Sequence, residues 1–96
     1  MNEWSQFPFG DTIQEGLRDL EQQGEQAVTV PALIVSIGAP KLAFLGIRVP
    51  APIEHPERKL YDCIERNYPA RDAHSFYNSL IRRLVSFEHA CAVPRP

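Results

Sequence analysis

Ninety-six residues with 44% apolar content and a formal charge of −2 describe one folded domain over residues 1–96, and exclude a disordered or collagen-like chain. A domain of this size buries only about 60–65% of the surface its unfolded chain exposes, which leaves little core for a deep active site and favours work at the surface. Nine prolines, about twice the usual share, force turns and short elements.

The first residues, Met1-Asn2-Glu3-Trp4-Ser5-Gln6, lack the basic start and apolar run of an export signal. The longest strongly apolar stretch, Ala32 to Ile37, is far shorter than the ~20 residues a membrane helix needs. Two cysteines, Cys63 and Cys91, are too few for a disulfide framework, so the chain is expected to work in the cytoplasm with reduced thiols.

Residues 1–10 form an aromatic arm carrying Trp4, Phe7 and Phe9 around Pro8, too much apolar surface to be left loose in water. A helix is predicted from about Thr12 to Gln23, with Thr12 as N-cap, Glu15 in capping-box spacing, and Ile13, Leu17 and Leu20 on one face. Gly24 ends it. Its outer face is Gln14, Glu15, Arg18, Asp19, Glu21 and Gln22.

From residue 28 to 49 the pattern changes to Val28-Thr29-Val30, Leu33 to Ile37, and Leu42 to Val49. Enrichment in β-branched residues and the break at Gly38-Ala39-Pro40-Lys41 predict two strands joined by a tight turn, with Pro31 at a strand start, edge or bulge. Pro50, Pro52 and Pro56 frame an extended connector. A helix then opens at Pro56, carries Leu60, Tyr61, Ile64 and Tyr68 on one side, and stops at Pro69. The last helix is predicted from Arg71 or Asp72 to Ala90, with Phe76, Leu80, Leu84 and Phe87 on an apolar stripe and Ser75, Asn78, Ser79, Arg82, Arg83 and Ser86 facing away. Residues 92–96 read as a frayed tail.

The expected fold class is therefore α+β, in the order α-β-β-α-α, with an antiparallel hairpin covered by helices. Because two strands alone make a marginal sheet, pairing with a second copy would complete it, which predicts a homodimer. The alternative is an all-α chain with a helix-turn-helix at residues 29–47, Thr29 as N-cap, Gly38 at the turn, and Leu33, Ile37, Phe44 and Ile47 inward.

No chemistry-bearing motif emerges. His89 and Cys91 are two apart, which is not a structural-zinc pair and points them to different faces of a helix, so neither a metal site nor a thiol nucleophile is predicted. No G-x-S-x-G, P-loop, G-x-G-x-x-G or H-E-x-x-H is present, and no cofactor is called for. A DNA-reading helix at residues 39–47 would offer only Lys41 and Arg48 to bases and phosphates, and the acidic pI near 5.9 opposes approach to a phosphate backbone.

Charge is segregated. Residues 1–40 hold six acids against Arg18 alone, whereas residues 41–96 hold nine bases against six acids. With an excess of aromatic residues, the usual anchors of interfaces, this points to a non-catalytic regulatory protein that works as an adaptor or inhibitor of a larger protein assembly. The residues expected to touch the partner are Trp4, Phe7 and Phe9 in the arm, Tyr68 beside Pro69, and Arg82 with Arg83 on the last helix. DNA binding through residues 29–47 is the alternative function.

Overall fold

The run from Val30 to Ile37, expected to be a strand, is an α-helix at the centre of the molecule. The computed structural model describes residues 3–92, and among them are five α-helices and no strand: α1 (Gly10–Gln23), α2 (Val30–Ile37), α3 (Ala39–Phe44), α4 (Pro56–Asn67) and α5 (Ala73–Ala92). The fold is thus all-α, and the α+β reading with its hairpin at residues 28–49 is wrong. The dimer expected from pairing that hairpin loses its structural ground.

The physical reason lies in burial. A helix covered on every side shows no polar stripe, and Ala32, Leu33, Ile34, Val35 and Ser36 are all buried in succession. Such a run lacks the 3.6-residue alternation that separates a helix from a core strand. Helix formation is encoded at its ends instead. Thr29 caps the start: its Oγ accepts from the Ala32 N–H at 3.2 Å and donates to Asp19 Oδ2 at 2.8 Å, tying α2 to α1. Pro31 and Pro40 both occupy first turns, of α2 and α3, where a missing N–H costs nothing. The expected turn at Gly38-Ala39-Pro40-Lys41 is the junction between these two helices.

The end of α3 is a Schellman motif. Gly46, at φ +89, donates to the Ala43 carbonyl at 3.1 Å, and Ile47 donates to Leu42 at 2.8 Å. Ile47 and Leu42 are both buried as the motif requires. Phe44, expected to point inward in the helix-turn-helix alternative, is instead 88% exposed.

Three elements cover α2. α1 crosses it at Gly16, where a Cβ would run into the Pro31 carbonyl, so only glycine allows this approach. α4 lays Leu60 and Ile64 over it, and α5 adds Leu80, Leu84 and Phe87 to the same core. Ser36, a buried hydroxyl within α2, donates to the Ala32 carbonyl at 2.8 Å and accepts the Ile53 N–H at 3.0 Å, which pins the connector 48–55 to α2. No helix among the described residues is long and apolar enough to cross a membrane.

Helix boundaries also shift. α1 begins at Gly10, two residues before the expected start; Phe9 is its N-cap without a side-chain bond, and Thr12 lies inside the first turn. α5 begins at Ala73 and runs through Ala92. The tail expected over residues 92–96 otherwise lies outside the described residues, as do the first two residues of the arm.

Gly16→Ala tests the crossing. Overpacking against a backbone carbonyl outweighs the ~1 kcal/mol that alanine gains in a helix, for an expected net loss of about 2 kcal/mol. Urea unfolding checks it, with Gln14→Ala on the exposed face of the same helix as a near-neutral control.

Candidate functional site

α5 is the peripheral helix of the bundle. It buries Leu80, Leu84 and Phe87 against the rest and leaves the opposite stripe to solvent. Ser79, Arg82, Arg83, Ser86 and Ala90 follow one another at three- and four-residue steps, so they line one face. The aromatic arm runs alongside. Its short 3-10 turn, Glu3–Gln6, sets Trp4 edge-on to Phe87 with ring centroids 5.9 Å apart, and Phe7 meets the same ring at 6.5 Å.

Between the arm and α5 lies an open groove of about 540 Å³. Pro8, Phe9 and Ala90 supply its apolar wall, Phe87 lies beneath at 1% exposure, and Arg82 and Arg83 close its other side. A second depression continues along α5 past Ser79 and Arg83, residues common to both, to Phe76, Arg71 and Asp72. The two depressions adjoin at Ser79 and Arg83.

Phe9 takes a left-handed conformation, φ 76, which for a bulky residue costs on the order of 1–3 kcal/mol. The conformation persists because its carbonyl accepts the Ile13 N–H at 3.0 Å, starting α1, and the Phe7 carbonyl holds the Gly10 N–H at 2.8 Å. The result is a half-buried ring presented beside Phe87.

Among the described residues, Arg82 and Arg83 have no ion-pair or hydrogen-bond partner, and both are exposed. The Arg71 guanidinium lies 4.9 Å over the Phe76 ring. Asp72 is the one carboxylate lining either depression, and it is occupied with capping α5: Oδ2 accepts from Ser75 Oγ at 3.0 Å and Oδ1 from the His74 N–H at 3.1 Å. The Ser75 hydrogen bonds, above all, hold its carboxyl below the usual carboxylate range.

Of the six residues expected to touch a partner, the structure brings Phe9, Arg82 and Arg83 to one groove. Trp4 and Phe7 lie behind it as half-buried supports of Phe87. Tyr68 is separate, 41% exposed at the α4–α5 junction, its ring edge-on to Phe76 at 5.2 Å. Phe87, assigned to the core, and Ser79, Ser86 and Arg71 were not singled out as contact residues. The three-and-four spacing of the two serines around the arginine pair is the signal that marks their shared face.

Other chemistry-bearing residues are dispersed. Cys63 Sγ accepts from Asn67 Nδ2 at 3.2 Å, His55, His74 and His89 are exposed, and no group of three or more His, Cys, Asp or Glu among the described residues could hold a metal ion. The solvent face of α3, the reading helix of the DNA alternative, presents Pro40, Lys41, Ala43 and Phe44, a largely apolar set. No protein-family model, curated protein or solved structure matches the chain.

Glu88 points away from the groove. It is 8% exposed, and its Oε2 packs against Gly38 at the α2–α3 junction, close enough that a Cβ there would lie 3.2 Å away. Burial pushes its carboxyl up, with Lys41 and His89 pulling in the opposite direction. An acid raised in the folded state binds more protons there than when unfolded, so ionisation destabilises the fold as pH climbs from about 4.5 through the raised value. Glu88→Gln is therefore expected to raise Tm at pH 7 and leave it nearly unchanged at pH 4. Thermal melts across that range check it; an equal shift at both ends would assign the effect to packing.

Proposed function

We propose that this chain is a small, non-catalytic intracellular binding protein that docks a segment of a larger protein along the α5 groove, as an adaptor or inhibitor. One observation carries the reading: the half-buried Phe9 ring, with Pro8 and Ala90, lies beside two guanidiniums that are exposed and have no partner among the described residues. Large aromatic surface beside arginine is the composition of interface hot spots.

The apolar depression contains no histidine, cysteine or carboxylate, which supports binding over acid–base or nucleophilic chemistry. Its open shape suits a chain segment better than an enclosed small molecule. The intracellular assignment rests on the two-cysteine composition.

A photo-crosslinking residue placed at Ser86, inside the groove, and at Gln22, on the exposed face of α1, tests the reading. Discrete protein adducts are expected from Ser86 alone, and their loss is expected in Phe9→Asn. Asparagine tolerates the left-handed backbone at that position, so the ring is removed without refolding the arm. Equal adducts from Gln22, or adducts indifferent to Phe9→Asn, would sink the proposal.

A further inference from the structure

Building on that reading, we propose that the occupant of the α5 groove is an acidic segment of a protein partner: a bulky apolar side chain with carboxylates beside it. Charge complementarity carries the inference. The charged residues lining the two depressions are Arg71, Arg82 and Arg83 against Asp72 alone, and both Asp72 oxygens are engaged at the start of α5. Arg82 and Arg83 have spare donors and no partner among the described residues. An occupant with no negative charge would leave two guanidiniums beside an apolar wall unmatched; one with positive charge would be repelled.

Spacing sets the register. Arg82 and Ser86 are four apart on α5, about 6 Å, so a carboxylate meeting the arginine pair stands one or two residues from the apolar side chain that packs on Phe9 over Ser86 in an extended segment. Arg83, one position along, admits a second carboxylate on the neighbouring side.

Among the described residues, α1 and α3 do not supply this combination, and Tyr68, 41% exposed near Glu65, is held edge-on to Phe76 within the same subunit. The exposed face of α1 carries Asp11, Glu15 and Glu21 but no exposed apolar side chain, and Phe44, the most exposed apolar residue, shares α3 with Lys41. A nucleic acid would bring negative charge but no side chain for the Phe9 wall.

The test uses the full chain and short synthetic peptides in three sets, each with a central Leu, Phe or Trp flanked by Asp and Glu, by Asn and Gln, or by Lys and Arg. Binding is read by fluorescence anisotropy at low and high salt. The acidic set is expected to bind, about tenfold more weakly at high salt and about tenfold more weakly again in Arg82→Glu/Arg83→Glu. Phe9→Asn is expected to weaken it without changing its salt dependence. If the amide set binds as well as the acidic set, and Phe9→Asn still weakens both, the carboxylate inference is overturned while the groove reading stands. If no set binds and crosslinking from Ser86 is indifferent to Phe9→Asn, both fall. Duplex DNA displacing the acidic peptides, or light scattering showing that the chain fills its own groove as a dimer broken by Phe9→Asn, would overturn the proposal in favour of that occupant.

Discussion

The need to enclose α2 organises the molecule. Five successive buried residues give this helix no solvent face, so its backbone polar groups must be satisfied within the helix and its side chains covered from every direction. The closest cover is α1, and it can approach only because Gly16 removes the Cβ that would meet the Pro31 carbonyl. The polar atoms at this crossing are paired rather than excluded. Thr29 joins the cap of α2 to Asp19 of α1, and Ser36 joins its buried interior to the Ile53 amide of the connector. Removing the Ser36 hydroxyl would leave the Ile53 N–H without its acceptor in a buried region, a loss of about 1–3 kcal/mol, and removing the part-buried Thr29 hydroxyl would uncap the Ala32 N–H at a smaller cost.

That arrangement dictates where α5 can go. With α1 and α4 occupying the flanks of α2, the longest helix buries Leu80, Leu84 and Phe87 in the shared core, packs Phe76 and Tyr77 at its edge, and lies at the margin. Its far end would expose Phe87 if the arm did not fold back over it, and Trp4 and Phe7 both meet that ring edge-on. The groove is the space left along α5 once the arm has covered Phe87. The arm shields Phe87 from one side, stops at Phe9 in its left-handed conformation, and leaves the Arg82–Arg83 side open.

Periodic helices were legible in the sequence because each has one wet face: Ile13 and Leu20 in α1, Leu60 and Ile64 in α4, and Leu80, Leu84 and Phe87 in α5 all fall on predicted stripes. The failure at residues 28–49 has the opposite cause. Val30, Ile34, Val35 and Ile37 are β-branched and at least partly buried, Ile34 and Val35 completely, and nothing in their alternation distinguishes strand from helix. Decisive information lay at the edges, in Thr29 three residues before the Ala32 amide it caps and in prolines one residue into α2 and α3. Thr12 misled in the other direction, since Phe9 and Gly10 begin α1 through backbone geometry that side-chain capping rules do not register. At the candidate site, the shared face of Arg82 and Arg83 follows from helical spacing. Phe9 reaches it only through tertiary packing, and Trp4 and Phe7 are supports because Phe87 is where their rings find cover.

Segregated charge gives this geometry a direction. The exposed acids of α1, Asp11, Glu15 and Glu21, lie in the half of the chain with a single base, while the arginines of the groove stand on α5. An acidic ligand approaching a chain of net charge −2 is repelled by the first surface and attracted by the second, so the field orients it before contact. Most of the binding energy must still come from the apolar wall, because exposed arginines in water contribute little on their own. Partial enclosure would strengthen them for the proposed ligand: a bulky side chain packed on Phe9 would displace water from the neighbouring guanidiniums and lower the local dielectric in which a carboxylate meets them. For the proposed acidic segment, apolar contact and charge recognition would reinforce each other, since each is worth more when the other is in place.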